Sequence, residues 1–158
     1  MLTPEGPKVL EFNARFGDPE TQVILPRLKT DLVEVMLAVA QDRLDEVELD
    51  WRDDWAVSVV LASKGYPASY QKGFAITGID GARELPGVTV YHAGTALGDD
   101  GVLRTSGGRV LNVTALGSTF QEARQRAYAG CEAIQFDGKT MRGDIGERAL
   151  HGRDAWEA

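Results

Sequence analysis

The chain has 158 residues, 43% of them hydrophobic and 26% charged, proportions that suit a globular protein of one ordinary domain, or a small domain joined to a piece of another. Seventeen basic residues against 24 acidic ones leave a net charge of −7, which argues against a nucleic-acid or anionic-membrane surface. No run approaches the ~18 apolar residues of a membrane span, and the N-terminus lacks the basic stretch and apolar core of a secretory signal, so a cytoplasmic location is expected. Cys131 is the single cysteine, which excludes an intramolecular disulfide and a cysteine-rich zinc site. His92 and His151 are too far apart in sequence to form a recognisable ligand pair.

Residues 1–10 read as two short strand pieces around the turn Thr3-Pro4-Glu5-Gly6-Pro7, a hairpin leading into a longer strand. In that strand Leu10, Phe12, Ala14 and Phe16 alternate with Glu11, Asn13 and Arg15, the period of two of an element with one apolar and one polar face. On the polar face Glu11 and Asn13 lie about 7 Å apart. A carboxylate and an amide carbonyl at that spacing can converge on one hard cation such as Mg²⁺, which takes oxygen ligands beside nucleotide phosphates. Arg15, one pleat further on, would reach the anion that the metal holds. The same pattern also describes an ordinary half-buried strand with a solvated polar face. Gly17-Asp18-Pro19-Glu20-Thr21 reads as a turn into a helix, with Asp18 as N-cap, Pro19 at the first helical position and Glu20 at the positive end of the dipole.

The spacing predicts a helix over residues 31–44, with Asp31 as N-cap and Glu34 at the reciprocal position. Leu32, Val35, Met36, Val39, Ala40 and Leu44 form its apolar stripe, which is expected to be core. Residues 42–54 are acidic and read as a solvated connector and domain boundary, with Trp51 and Trp55 packing at its end. From Trp55 the character changes. Residues 55–63 form a valine-rich apolar run expected of a buried strand, ended by Lys64-Gly65-Tyr66-Pro67. Further strands are expected over residues 75–79, 88–93, 102–105 and 109–116, separated by glycine-containing turns, which together suggest a small antiparallel sheet or barrel. A helix then runs from a Ser118 cap, with Gln121 at the capping-box position, to about Ile134, and its stripe of Phe120, Ala123, Ala127, Cys131 and Ile134 would cover one face of the sheet. Residues 151–158 carry little patterning and are expected to fray. The fold class read from this order is α+β.

Two loops combine a cation with glycine. Lys64-Gly65-Tyr66-Pro67 could bring backbone N–H groups to an anion, and so could Gly107-Gly108-Arg109; each also reads as a plain turn with a solvated charge. His92-Ala93-Gly94-Thr95 ends a strand with a small step that tight packing explains.

The stretch Lys8-Val9-Leu10-Glu11-Phe12-Asn13-Ala14-Arg15-Phe16-Gly17-Asp18-Pro19-Glu20-Thr21-Gln22 resembles the last metal-binding strand of the phosphoribosylamine–glycine ligase (glycinamide ribonucleotide synthetase) family of ATP-grasp enzymes. Glu-x-Asn-x-Arg alone is shared with other ATP-grasp enzymes, biotin carboxylases among them, whereas Arg-Phe-Gly-Asp-Pro-Glu-Thr-Gln is much more specific. Matches at Ser63-Lys64-Gly65-Tyr66-Pro67, His92-Ala93-Gly94-Thr95, Gly107-Gly108-Arg109-Val110-Leu111 and Asp144-Ile145-Gly146 carry the resemblance, in order, to about residue 150.

The resemblance implies that residues 1–48 are the C-terminal end of an ATP-grasp domain, a remnant of strand plus helix. Residues 49–150 would then be a small antiparallel β-rich C-terminal domain with a covering helix, and 151–158 a tail. It further implies a longer enzyme whose upstream part supplies most nucleotide contacts, with ATP as co-substrate and glycine and 5-phosphoribosylamine as substrates. Glu11 and Asn13 would bind Mg²⁺ (or Mn²⁺), Arg15 would be catalytic, and Asp18 and Glu20 would meet the glycine ammonium. Lys64, Gly65 and Arg109 would be candidates for the substrate phosphate. Two other readings stay open: a different ATP-grasp carboxylate–amine ligase or carboxylase, and a non-catalytic binding or interaction domain.

Overall fold

A computed structural model of the chain describes residues 1–12 and 14–150; Asn13, His151 and the rest of the 151–158 tail lie outside the described residues. In chain order the elements are β1 (Leu2–Thr3), β2 (Gly6–Pro7), α1 (Thr21–Ile24), α2 (Leu32–Ala40), β3 (Trp55–Ser63), α3 (Ile79–Arg83), β4 (Val88–His92), β5 (Thr95–Leu97), β6 (Leu103–Thr105), β7 (Arg109–Gly117), α4 (Phe120–Ala133), β8 (Lys139–Thr140) and α5 (Glu147–Leu150). The main sheet is antiparallel, in the order β4-β7-β3-β8, and β5 and β6 form a separate hairpin.

The core sits between that sheet and α4. Val57, Val59 and Leu61 of β3 pair in register with Ala115, Val113 and Leu111 of β7, so their side chains share one face, and all six are buried. The expected stripe of α4 meets this face: Ala123, Ala127, Cys131 and Ile134 are fully buried, with Phe120 partly buried against the same cluster. Small residues set the approach of the helix. A Cβ on Gly130 would stand 2.8 Å from Val113 Cγ1 and 3.1 Å from Val88 Cγ1, closer than packed atoms sit. The N-cap of α4 falls one residue later than expected: Thr119 Oγ1 accepts from the Glu122 N–H at 3.1 Å, and Glu122 Oε2 accepts from Ser118 N at 2.7 Å. Arg124 donates to Ile145 O and Gly143 O at 2.8 Å each, and the Ile145 N–H donates to Tyr128 Oη at 3.1 Å. The Asp144-Ile145-Gly146 motif is thus a strap over α4.

The opposite face of the sheet carries α1, which packs on β3 and β7. Several expectations change on this side. Residues 8–12 and 14–16 are not in a strand: the β1–β2 hairpin closes where Lys8 N donates to Met1 O at 2.9 Å, and beyond it Leu10 and Phe12 are 74% and 90% exposed. An amphipathic strand needs a neighbour for its backbone and a cover for its apolar face, and the described residues supply neither. The turn into α1 starts at Gly17, whose carbonyl accepts Thr21 N at 3.0 Å; Asp18 does not cap the helix, and Glu20 occupies the N-cap position without a side-chain bond.

Helix α2 is capped by Asp31, which accepts from Val33 N at 2.8 Å. It stops at Ala40, short of the expected residue 44, where Asp42 turns to φ 56° and Arg43 N donates to Ala38 O at 2.8 Å. Its apolar stripe is not core in this chain. The one buried residue of α2 is Ala38, which is not on that stripe, while Met36 and Val39 are 49% and 57% exposed, because no described element covers them. The acidic stretch is not a free connector either. Lys29 N donates to Asp50 O at 2.9 Å, Arg52 N to Arg27 O at 2.7 Å, and Asp50 N to Thr30 Oγ1 at 2.8 Å, which ties residues 50–52 back to 27–30. The strand expected over 75–79 reduces to single bridges, Ala75 to Arg104 and Thr77 to Gln135. Gly78 then takes φ +82°, where a Cβ would overlap Ala133 O, and the chain turns into α3. Among the described residues no helix is long and apolar enough to cross a membrane.

Candidate functional site

One irregularity in the central strand pair positions the site. Leu61 faces Leu111, but the next residue, Ala62, faces Arg109, so Val110 is the extra residue of a β-bulge in β7. Without the bulge, strict alternation would place Arg109 on the α4 face. With it, Arg109 shares the opposite face with Asn112 and Thr114, and Asp18 meets that face. Arg109 Nη1 donates to Asp18 O at 2.7 Å, its Nη2 stands 3.6 Å from Asp18 Oδ2, and Asn112 Nδ2 donates to Asp18 Oδ1 at 3.2 Å. Gln22 Nε2, one turn on in α1, donates to the same Oδ1 at 2.9 Å.

The burial of these groups is uneven. Asn112 is 1% exposed, whereas the Asp18 and Arg109 side chains are 44% and 37% exposed, so a buried amide holds one oxygen of a carboxylate that is itself partly open to solvent. Asn112 Oδ1 and Gln22 Oε1 are buried without a hydrogen-bond partner among the described residues. Tyr91 sits beside Asn112 in register, and burial raises its phenol above the ordinary value. Around the preceding turn, a Cβ on Gly17 would collide with the Glu20 carboxylate and stand 3.4 Å from Arg15 Nη1, so Arg15 and Glu20 flank Gly17 on the exposed side.

The loops read separately from sequence meet at this end of the sheet. Ser63 N donates to Gly108 O at 2.8 Å and Ser63 Oγ to Gly107 O at 2.9 Å. A Cβ on Gly108 would overlap the Tyr66 ring, and one on Gly94 would come within 2.5 Å of both Arg109 O and Gly107 Cα. These glycines permit close backbone approach. Lys64 and Gly65 are less directly placed. Lys64 N donates to Gly138 O at 2.7 Å, which draws it toward β8, and Gly65 takes φ +99° at a place where a Cβ would overlap Ser69 O.

Of the sequence-predicted residues, the structure therefore joins Asp18 with Arg109 and sets Arg15 and Glu20 around Gly17. Glu11 is exposed, and Asn13 lies outside the described residues. Among the described residues no group of three or more His, Cys, Asp or Glu side chains is arranged to hold a metal ion. Sequence reasoning missed Asn112 and Gln22. The available signal was a lone amide in the apolar run Val110-Leu111-Asn112-Val113.

Comparison with known proteins places these residues in a family. Residues 56–148 match the family model described as Phosphoribosylglycinamide synthetase, C domain. The chain belongs to this family. It is 54% identical over 145 residues to a phosphoribosylamine–glycine ligase of Caldanaerobacter subterraneus subsp. tengcongensis, covering 92% of this chain and 34% of the relative. It is 56% identical over 151 residues to the trifunctional purine biosynthetic protein adenosine-3 of Gallus gallus, covering 95% of this chain and 15% of that protein. The crystal structure of the phosphoribosylamine–glycine ligase from Thermotoga maritima superposes with a TM-score of 0.70 at 39% identity, over 92% of this chain and 35% of that one. The chain spans about a third of the length of these ligases.

Proposed function

We propose that this chain is the C-terminal part of an ATP-dependent ligase that joins glycine to 5-phosphoribosylamine, giving glycinamide ribonucleotide, ADP and phosphate. The observation that carries the reading is the 54% identity to such a ligase over 92% of the chain, a span well beyond the C-domain match at residues 56–148. Residues 1–48 would complete an ATP-grasp domain, residues 49–150 would form the C-terminal domain, and 151–158 the tail. The exposed apolar face of α2 supports this division, since it calls for a cover that the remaining part of the ligase would provide. The partners are then small molecules and that remaining part, with no nucleic acid or membrane involved, and the location is the cytoplasm.

In the reaction, ATP phosphorylates the glycine carboxylate, releasing ADP. The amine of phosphoribosylamine attacks the acyl carbon, phosphate leaves, and the amine gives up a proton. Glu11 and Asn13 would hold Mg²⁺ or Mn²⁺. Their carboxylate and amide oxygens suit a hard cation, and Glu11 is exposed and engaged in no ion pair among the described residues. When bound, the ion neutralises charge on the nucleotide phosphates; the nucleotide and the rest of the enzyme would complete its ligands. Arg15 stabilises negative charge on the transferring group. Asp18 and Glu20 receive the glycine ammonium, and Arg109, beside Asp18, offers a guanidinium to a substrate anion. Lys64 and Gly65 border the same end of the sheet and serve the sugar phosphate.

Glu11→Ala in the full-length ligase carrying this sequence tests the assignment. The expected result is loss of ADP formation with an unchanged circular dichroism spectrum; near-normal turnover would overturn the metal role.

A further inference from the structure

A buried asparagine in the middle of a central strand is costly unless its amide is used. Asn112 is 1% exposed and lies in β7 between Leu111 and Val113. A leucine there would nearly match its shape without burying polar atoms. What the amide does in this structure is bond a single partner, Asp18 Oδ1, at 3.2 Å. The carboxylate dictates the orientation: the NH₂ end must face it, which leaves Asn112 Oδ1 buried and unpartnered. Gln22 repeats the arrangement, donating to the same oxygen at 2.9 Å and burying an unpartnered Oε1. Two amides, the buried Asn112 and the half-buried Gln22, thus converge on one oxygen of a carboxylate whose side chain is 44% exposed.

The other oxygen is differently placed. Asp18 Oδ2 stands 3.6 Å from Arg109 Nη2, too long for a hydrogen bond, while Arg109 Nη1 is committed to the Asp18 carbonyl at 2.7 Å. Main chain and one carboxylate oxygen are therefore fixed from β7, and the second oxygen keeps its acceptor capacity.

We infer that Asn112 is a positioning residue for the glycine substrate. It fixes the rotamer of Asp18 through Oδ1 so that Oδ2 is aimed at the glycine ammonium, and it acts across the junction between the N-terminal segment and the sheet. The inference rests on the reading of Asp18 as the ammonium partner. It concerns glycine binding and not the metal or the nucleotide, so the loss should appear in KM for glycine, while KM for ATP and kcat are spared.

The test is a double-substitution cycle in the full-length ligase carrying this sequence, with Asn112→Leu, Asp18→Asn and the pair. Asn112→Leu is expected to raise KM for glycine roughly tenfold, the scale of one hydrogen bond to a charged group, with KM for ATP and kcat within about twofold. In the Asp18→Asn background it should add less than about twofold, because no carboxylate is left to orient. A general packing defect would instead multiply through both backgrounds. A full effect of Asn112→Leu in the Asp18→Asn background, or no effect on glycine KM while Asp18→Asn raises it, overturns the inference and leaves the Asp18 assignment standing. No effect of Asp18→Asn itself overturns both. Should Asn112→Leu fail to fold, ¹⁵N NMR of the 158-residue chain still decides. Asp18→Ala, at an exposed site, should shift the Asn112 side-chain NH₂ signals upfield as their charged acceptor is lost; unmoved signals overturn the inference.

Discussion

Gly94 is the point at which packing at the candidate site can be tested most sharply. Its φ is ordinary, so the constraint is space alone: an alanine Cβ would stand 2.5 Å from Arg109 O, 2.5 Å from Gly107 Cα and 2.7 Å from Gly107 N. All three neighbours are backbone, so no side chain can swing aside. Reaching the 3.4 Å of ordinary contact requires about 0.9 Å of separation, and that opening stretches Gly94 N→Arg109 O and Ser106 N→Gly94 O, both 2.8 Å. Overpacking costs about 1–3 kcal/mol, and each weakened backbone bond about 1 kcal/mol or less. A total near 3 kcal/mol corresponds to a fall of roughly 6–12 °C in the melting temperature of a chain this size. Thermal unfolding followed by circular dichroism reads it directly. Gly81→Ala is the control, since nothing lies within 4 Å of its Cβ and it sits in α3, where alanine should be neutral or stabilising by up to ~1 kcal/mol. Melting of Gly94→Ala within about 2 °C of the parent would refute the account of how the three loops pack around Arg109.

Thr119→Ala removes the N-cap of α4 and should destabilise the chain by about 1 kcal/mol in urea unfolding, whereas Ser118→Ala, which loses only its exposed hydroxyl bond to Glu122, should cost less. Burial pushes the Cys131 thiol up from 9.0 to about 12. The unfolded chain therefore releases this proton at lower pH than the folded one, and the stability it contributes, fully present below pH 9, is lost as pH rises toward 12. Its share of the slope is at most about 1.4 kcal/mol per pH unit, and Cys131→Ala should flatten the fall; an unchanged alkaline profile contradicts this. Val39→Lys, on the exposed stripe of α2, should leave the melting temperature of the 158-residue chain within about 2 °C. A drop of several degrees would show that the stripe is core within this chain.

The C-terminal sheet was largely legible. β3, β4, β7 and α4 announce themselves through valine-rich runs and a 3.6-residue stripe of small apolar residues, signals that local packing honours because the covering helix lies in the same chain. Glu11 to Phe16 shows the limit of that reasoning. Its alternation is as clear as that of β3, yet period two states only that a strand would have two faces, and Phe12 at 90% exposure has nothing here to cover it. The stripe of α2 fails as core for the same reason. At the site, Asp18 and Arg109 were singled out separately, but their meeting depends on the bulge at Val110, a one-residue change of register that leaves no trace in composition. Asn112 was hidden by its own burial, because an amide inside an apolar run is ordinarily read as noise in a strand.

The most direct test of the central claim is ADP release by the full-length protein carrying this sequence, with glycine and phosphoribosylamine each supplied and each omitted. The account predicts release that requires both, in equal amount to the glycinamide ribonucleotide formed. Release that ignores both while responding to another acid and amine would keep the ATP-grasp chemistry and contradict the substrates; no release with any pair would contradict the ligase reading and leave a binding domain.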